Sequence, residues 1–291
     1  MDLASSTLPV LAQSQLAPAT LSLVATLAWG MSDFLGGYAS RRANVFLLTT
    51  ITHASGTALM LTLALLLHAP FPAERSSLIW AIGAGFMGGT ALAVFYRALS
   101  AGNMGLIAPV SAVLGAALPV LVDMFTEGRP GPVRVAGFVL AGLGIWMISR
   151  TEGPAGKSQG LGLAVLSGIG FAGYFLCIKQ AGGASVFWIA AISRATSFAA
   201  TSLVVLSIRQ FRPMDRAGVV WGVVTGLLDI SGSAFFILAS QTGRLDAAVV
   251  ISSLYPAVTV LMAAVFLKEH FSQWKTVGLV AALLAVPLIA W

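Results

Sequence analysis

The sequence predicts an all-α polytopic membrane protein, with ten transmembrane helices arranged as two inverted five-helix repeats. Three observations carry that prediction. First, of 291 residues 58% are hydrophobic and only 9% charged, with a mean hydropathy of +0.92, whereas globular domains carry roughly 25% charged residues. Second, long apolar stretches recur, each sufficient to cross ~30 Å of hydrocarbon. Only helices or closed barrels satisfy their backbone polar groups there, and these stretches do not alternate over about ten residues as barrel strands do. Third, the chain repeats itself. The run ALSAGNMGLIAPVSAVLGAALPVLVDMFTEGR has a counterpart in ASQTGRLDAAVVISSLYPAVTVLMAAVFLKEHF, about 141 residues later. In a membrane chain such repeats point to a pathway between two related halves, and an odd number of spans per half turns the second upside down.

The elements follow in order. Residues 1–18 are small or polar and lack a basic n-region, so they read as an N-terminal tail and not as a cleaved signal peptide. The first repeat occupies 19–150. Span 1 (about 19–38) carries Trp29, Asp33 and Gly37 at i, i+4 and i+8, hence on one face, and ends at Arg41 and Arg42. Span 2 (45–67) carries His53. Span 3 (77–99) ends in Tyr96 and Arg97. Span 4 (104–125) contains Pro109 and Pro119 and closes on Glu127, and span 5 (133–149) follows. A polar, glycine-rich linker at 151–159 leads to the second repeat, 160–291. Its spans are 6 (160–179), 7 (187–208), 8 (217–239), 9 (247–267) and 10 (276–290), with a bend at Gly243 and an acidic cap at Glu269. ANVFLLTTITHAS aligns with ASVFWIAAISRAT, which sets Arg194 opposite His53.

The charge balance is +6, with a pI near 10.0. The basic residues sit singly at span ends, where they anchor to headgroups, so no nucleic-acid partner is implied. One cysteine, Cys177, excludes an intramolecular disulfide. His53, His68 and His270 share no metal-ligand spacing, and no cofactor motif is present. Two G-x-G-x-x-G matches, at Gly83 to Gly88 and Gly168 to Gly173, lie inside spans instead of after a strand. They read as close helix packing, as do Gly85 with Gly89 and the ladder Gly218, Gly222 and Gly226.

Ionisable groups inside spans are costly and default to functional hypotheses. Asp229 lies mid-span 8 where the first repeat has Gly88, and reads as a substrate or proton contact or as half of a structural pair. Asp33 reads the same way, the alternative being a partner for Arg194. An apolar cavity disfavours a charged carboxyl, which suits proton exchange. Arg194 must find a carboxylate, carbonyls or an anionic substrate, and reads as an internal counter-ion. His53 reads as a satisfied packing histidine. Asp123 and Lys179 read as interfacial. Trp29, Tyr96, Tyr174 and Tyr255 are candidate substrate contacts, each equally compatible with packing. Pro256, after Tyr255, frees a backbone carbonyl one turn earlier, a defect tolerated where it faces a cavity.

The repeated small-residue bend, apolar span, acidic cap and glycine-bearing span resembles the EamA-type unit of the drug/metabolite transporter superfamily. Trp29-Gly30, Tyr255-Pro256 and Lys268-Glu269 carry the likeness, which covers about 21–150 and 160–291. Asp33 with Arg41 is distantly similar to the first-helix acidic residue of small multidrug-resistance proteins and the basic position after it. The resemblance implies small-molecule transport by alternating access in a bacterial-type inner (plasma) membrane, through a central cavity expected here among spans 1, 3, 4, 6, 8 and 9. It names no substrate, since the family holds amino-acid and metabolite exporters, uptake systems and drug-efflux systems.

Loop charges counted by the positive-inside rule favour external termini, whereas the resemblance implies cytoplasmic ones; the latter is adopted. The expectation is a secondary transporter exporting a small amino-acid-like or amphipathic metabolite, with Asp33 and Asp229 as candidate proton-coupling groups. A non-transporting membrane scaffold and an uptake carrier of the same fold stay open as alternatives, as do monomer and homodimer. No Walker motif or hydrolase signature supports an ATP-driven pump or an embedded enzyme.

Overall fold

The computed structural model describes residues 4–127, 131–149, 160–208, 214–242, 251–252, 254–268 and 272–290. The linker at 151–159, the Gly243 bend and the Glu269 cap lie outside them, as does the side chain of Asp123. The described residues form ten named helices: α1 (Ala4–Ala39), α2 (Val45–Leu66), α3 (Arg75–Ala101), α4 (Met104–Glu127), α5 (Pro132–Ser149), α6 (Leu161–Ala181), α7 (Val186–Ile208), α8 (Arg216–Thr242), α9 (Tyr255–Phe266) and α10 (Gln273–Ala290).

Local chemistry sets several of their ends. Asn44 caps α2, its side-chain oxygen accepting from the Phe46 and Leu47 amides at 3.0 and 3.2 Å, which satisfies two otherwise orphaned donors. Asp215 does the same for α8 through the Gly218 amide at 2.8 Å. Gly160 precedes α6 at φ +91°, in the left-handed region, packed against the Ala98 carbonyl and Ile107. A side chain there would be strained by its backbone as well as crowded.

The two repeats do not fold side by side; they interlock. α1 packs along α8 and, less extensively, α9, while its repeat equivalent α6 packs along α3 and α4. α2 packs on α7 and α8, and α7 on α2 and α3; α5 pairs with α10. Exchanging the two repeats maps each of these pairings onto another or onto itself.

The seams match at the residue level. Gly85 of α3 lies against Ser193 and Thr196 of α7, and Gly226 of α8 lies against Thr52 and Ser55 of α2. These six residues are the same three positions in the two repeats. In the first seam the Ser197 hydroxyl donates to the Gly85 carbonyl at 2.7 Å. In the second, Thr52 donates to the Gly222 carbonyl at 3.2 Å. Small residues let the backbones approach closely enough for such bonds. The two glycine triplets resembling nucleotide fingerprints lie within α3 and α6, where Gly170 abuts Ala91 and Gly173 abuts Met87. They are packing faces.

Two segments depart from the sequence reading. α1 begins at Ala4, so most of the segment read as a tail is helical; it is rich in Ala, Leu and Gln, which favour helix, and has no glycine. The ninth apolar stretch is not one uninterrupted helix. The chain turns at Leu254 and α9 starts at Tyr255 with Pro256 in its first turn, a position that tolerates a missing amide. At this break the Ile251 carbonyl accepts from the Leu254 amide at 3.2 Å and from the Thr26 hydroxyl of α1 at 2.8 Å.

α2, α3, α6, α7 and α8 are each long and apolar enough to cross a membrane, and α4, α5, α9 and α10 contain shorter apolar stretches. Large apolar side chains such as Leu66, Leu203, Leu261 and Trp274 face outward, a surface suited to lipid and not to water.

Candidate functional site

Six helices meet around a central cavity of about 60 Å³, room for a handful of waters at roughly 10–15 Å³ each. α1 contributes Trp29 and Asp33, one turn apart as the sequence spacing requires. α3 contributes Gly88 and Leu92; α6 contributes Phe171, Tyr174 and Phe175. Arg194 comes from α7, Asp229 and Ser233 from α8, and Tyr255 from the start of α9. The cavity was expected to involve α4, but α7 takes that place. The inner face of α4 is consumed against α6, where the Ser111 and Ser167 hydroxyls lie 2.5 Å apart and Gly168 abuts Leu114.

One ion pair dominates the lining. The Arg194 guanidinium reaches the Asp229 carboxylate at 2.7 Å, with both side chains 9% exposed. The same Nη2 donates to Ser233 Oγ at 3.0 Å, and Ser233 donates back to the Asp229 backbone carbonyl at 3.1 Å. Trp29 Nε1 donates to that carbonyl at 3.2 Å and to Ser233 Oγ at 3.3 Å, held flat over Gly232, where a Cβ would meet the indole at 2.6 Å. An Arg and an Asp buried in an apolar bundle are tolerable only when paired and hydrogen-bonded in this way.

Asp33 is different. It is 6% exposed and lines the cavity, yet among the described residues none forms a hydrogen bond or ion pair with its carboxyl. Its nearest charged neighbour by electrostatic effect is Asp229, already committed to Arg194. The expected alternative for Asp33, a bond to Arg194, is therefore not formed.

Aromatic rings fill the rest. Trp29 stands edge-on to Phe175 and Tyr255, with centroids 6.5 and 6.0 Å away, and packs on Phe236 at 5.4 Å. Tyr174 meets Phe175 at 5.4 Å. Gly88 makes space for the Tyr174 ring, which a Cβ would meet at 2.8 Å.

Tyr96 does not line the cavity. It is fully buried behind α1, its ring seated on Gly36 and its hydroxyl 3.1 Å from Ser32 Oγ. His53 is fully buried as expected, but among the described residues neither ring nitrogen has a hydrogen-bond partner. The Gly89 carbonyl and Arg194 are near enough to act on it electrostatically.

The repeat offset organises this site. Asp33 and Tyr174, Gly88 and Asp229, and Leu92 and Ser233 are three pairs of equivalent positions, and all six residues line the cavity. The cavity thus lies where the repeats exchange, while its charges obey no such symmetry.

The EamA-like transporter family model matches residues 17–150 and again 158–291. The chain belongs to the EamA-like transporter family. It is an integral membrane transporter of the drug/metabolite transporter superfamily, carrying two copies of the family unit. No curated protein matches it. Among matching solved structures is one described as "Crystal structure of protein", 18% identical, with a TM-score of 0.69, covering 94% of this chain and 97% of that one. That likeness shows a shared fold.

In this EamA-like transporter, five of the six residues singled out for substrate contact line one cavity: Trp29, Asp33, Tyr174, Asp229 and Tyr255. Sequence reasoning missed Phe171, Phe175 and Leu92 as lining residues, because apolar positions on a wholly apolar helix carry no distinguishing signal. Ser233 was within reach, one turn after Asp229 on the same face.

Proposed function

We propose that the protein is a secondary transporter that carries a small polar or amphipathic solute outward by alternating access around this cavity. The observation that carries the reading is Asp33, a buried carboxyl with no partner among the described residues, at the meeting point of both repeats. A charge so placed costs several kcal/mol in a bilayer unless water, a proton or a solute compensates it. Asp33 and Asp229 are assigned to substrate or proton contact. Trp29, Tyr174 and Tyr255 are assigned to the walls that hold the solute, and Arg194 to fixing Asp229.

The same reading takes all ten apolar segments as membrane crossings, with the second repeat inverted relative to the first. The exchange-related helix pairing supports it, and so does the odd number of segments in each repeat. Termini are placed in the cytoplasm, and a C-terminal reporter active only there tests that placement.

Solute flux in proteoliposomes under an imposed pH gradient tests the function. Wild type is expected to move solute at a rate that follows the gradient, and the Asp33→Asn, Asp229→Asn double variant to lose that response. A double variant equal to wild type in rate and pH dependence removes proton coupling. Binding without flux favours the scaffold alternative.

A further inference from the structure

Many polar groups of the cavity are committed to one another, and the uncommitted ones, the Asp33 carboxyl above all, define what can enter. Arg194 is spent on Asp229 and Ser233. Trp29 Nε1 is spent on the Asp229 carbonyl and Ser233, and the Tyr174 hydroxyl lies against the same serine. Among the described residues no other cation lines the cavity. Among the described residues that line it, Asp33 is the carboxyl without a counter-charge, within walls made of aromatic rings.

Building on the transporter reading above, we infer that the cavity selects small organic monocations, amines with an aromatic or aliphatic body, whose ammonium group docks on Asp33. A bare anion would add a second negative charge beside Asp33 and Asp229. A zwitterion would have to detach Arg194 from Asp229 to seat its carboxylate, breaking a pair that is stable only while intact. A neutral solute would leave Asp33 to be compensated by a proton and would gain nothing from its charge. A monocation does none of these: it neutralises Asp33 through a charge-assisted hydrogen bond, leaves the Arg194–Asp229 pair untouched, and gains from the ring faces of Trp29 and Tyr255. At about 60 Å³ the cavity must widen around such a guest, which ties binding to the movement of the repeats.

Four probes sharing a phenylethyl body separate the charge classes: phenethylamine, phenylalanine, 3-phenylpropanoate and 2-phenylethanol. Thermal stabilisation of the purified full chain is measured with each, since a ligand that binds only the folded state raises the melting temperature. Phenethylamine is expected to stabilise wild type and the other three not. In Asp33→Asn, which keeps the side-chain shape, its affinity should fall by roughly tenfold to a hundredfold, the loss of one ionic hydrogen bond. Stabilisation by phenylalanine or phenylpropanoate equal to that by the amine overturns the inference. So does a flat response to all four, and both outcomes are read on wild type alone. Counterflow of labelled phenethylamine in proteoliposomes distinguishes the two levels. Binding without counterflow sinks the transporter reading and keeps the cation selectivity; counterflow of phenylalanine in place of the amine sinks the selectivity and keeps transport.

Discussion

Asp33 of α1 and Tyr174 of α6 stand 141 residues apart, at equivalent positions of the two repeats, and line the same cavity. Gly88 and Asp229 are the next such pair, and Gly88 is the glycine that admits the Tyr174 ring. The repeat-exchanged counterpart of that contact is the approach of Asp229 to Asp33. The scaffold is thus built twice, but the second copy converts a steric contact into an electrostatic one. An exchange of repeats returns the helices to themselves and not the chemistry, so the site presents a different polar face to each half of the protein.

Arg194 and Asp229 stabilise the bundle only together. Arg194→Met leaves a buried, uncompensated carboxylate and is expected to cost about 3–5 kcal/mol. Arg194→Met with Asp229→Leu removes both charges and should recover most of that loss. Thermal unfolding of the two variants in the same detergent checks it; a double variant no more stable than the single one would contradict the pairing.

The glycine seams make a graded prediction. A Cβ at Gly85 or Gly226 would run into the backbone carbonyl of Ser193 or Thr52, so Gly85→Ala and Gly226→Ala should each cost about 1–3 kcal/mol through overpacking. Gly142 and Gly162, inside α5 and α6, have nothing within 4 Å of that position. There alanine should be neutral or stabilising by up to about 1 kcal/mol, through helix propensity. Melting temperatures of the four variants should fall into two groups.

Gly88→Leu is expected to close the cavity at a stability cost of about 1–3 kcal/mol through overpacking, because a Cβ there already meets the Tyr174 ring at 2.8 Å and that ring must shift. Flux should be lost while the chain still purifies as a folded species. Retained flux would show that solute passes elsewhere.

The fold was readable because a bilayer enforces simple rules. Composition and segment length gave helices, and the repeat gave the equivalences that the seams Gly85–Ser193 and Gly226–Thr52 now display. The charged half of the site was readable for the same reason: Asp33, Arg194 and Asp229 are conspicuous in apolar spans. Which charges pair was not readable. Helical periodicity assigns a face but not the neighbour across it, so the sequence sets Arg194 against Asp33 as the alternative, whereas its partner is Asp229. Interlocking of the repeats was hidden as well, because hydropathy records what each helix buries and not against which partner. For His53, the sequence predicts burial but is silent on hydrogen bonding, and the expected partner does not exist among the described residues.

Tyr96 and Tyr255 offer the sharpest contrast between sequence and structure, since both were expected at the site and only Tyr255 lines it. The Tyr96 hydroxyl meets Ser32 at 3.1 Å, and Ser32 in turn donates to the Thr225 carbonyl of α8 at 3.0 Å. Removing the hydroxyl in Tyr96→Phe should therefore weaken the α1–α3 contact by about 1 kcal/mol and leave flux per folded molecule unchanged. Tyr255 has its ring against Trp29 and its side chain facing Asp33's field, and no protein hydrogen bond depends on its hydroxyl among the described residues. Tyr255→Phe should then leave the stability within about 0.5 kcal/mol of wild type, as expected where no buried partner is orphaned. It should lower flux several-fold if the hydroxyl contacts solute. Measuring melting temperature and flux on both variants separates the two roles. A Tyr96→Phe protein that is fully stable but transport-deficient would place the solute path behind α1 and not in the cavity described here.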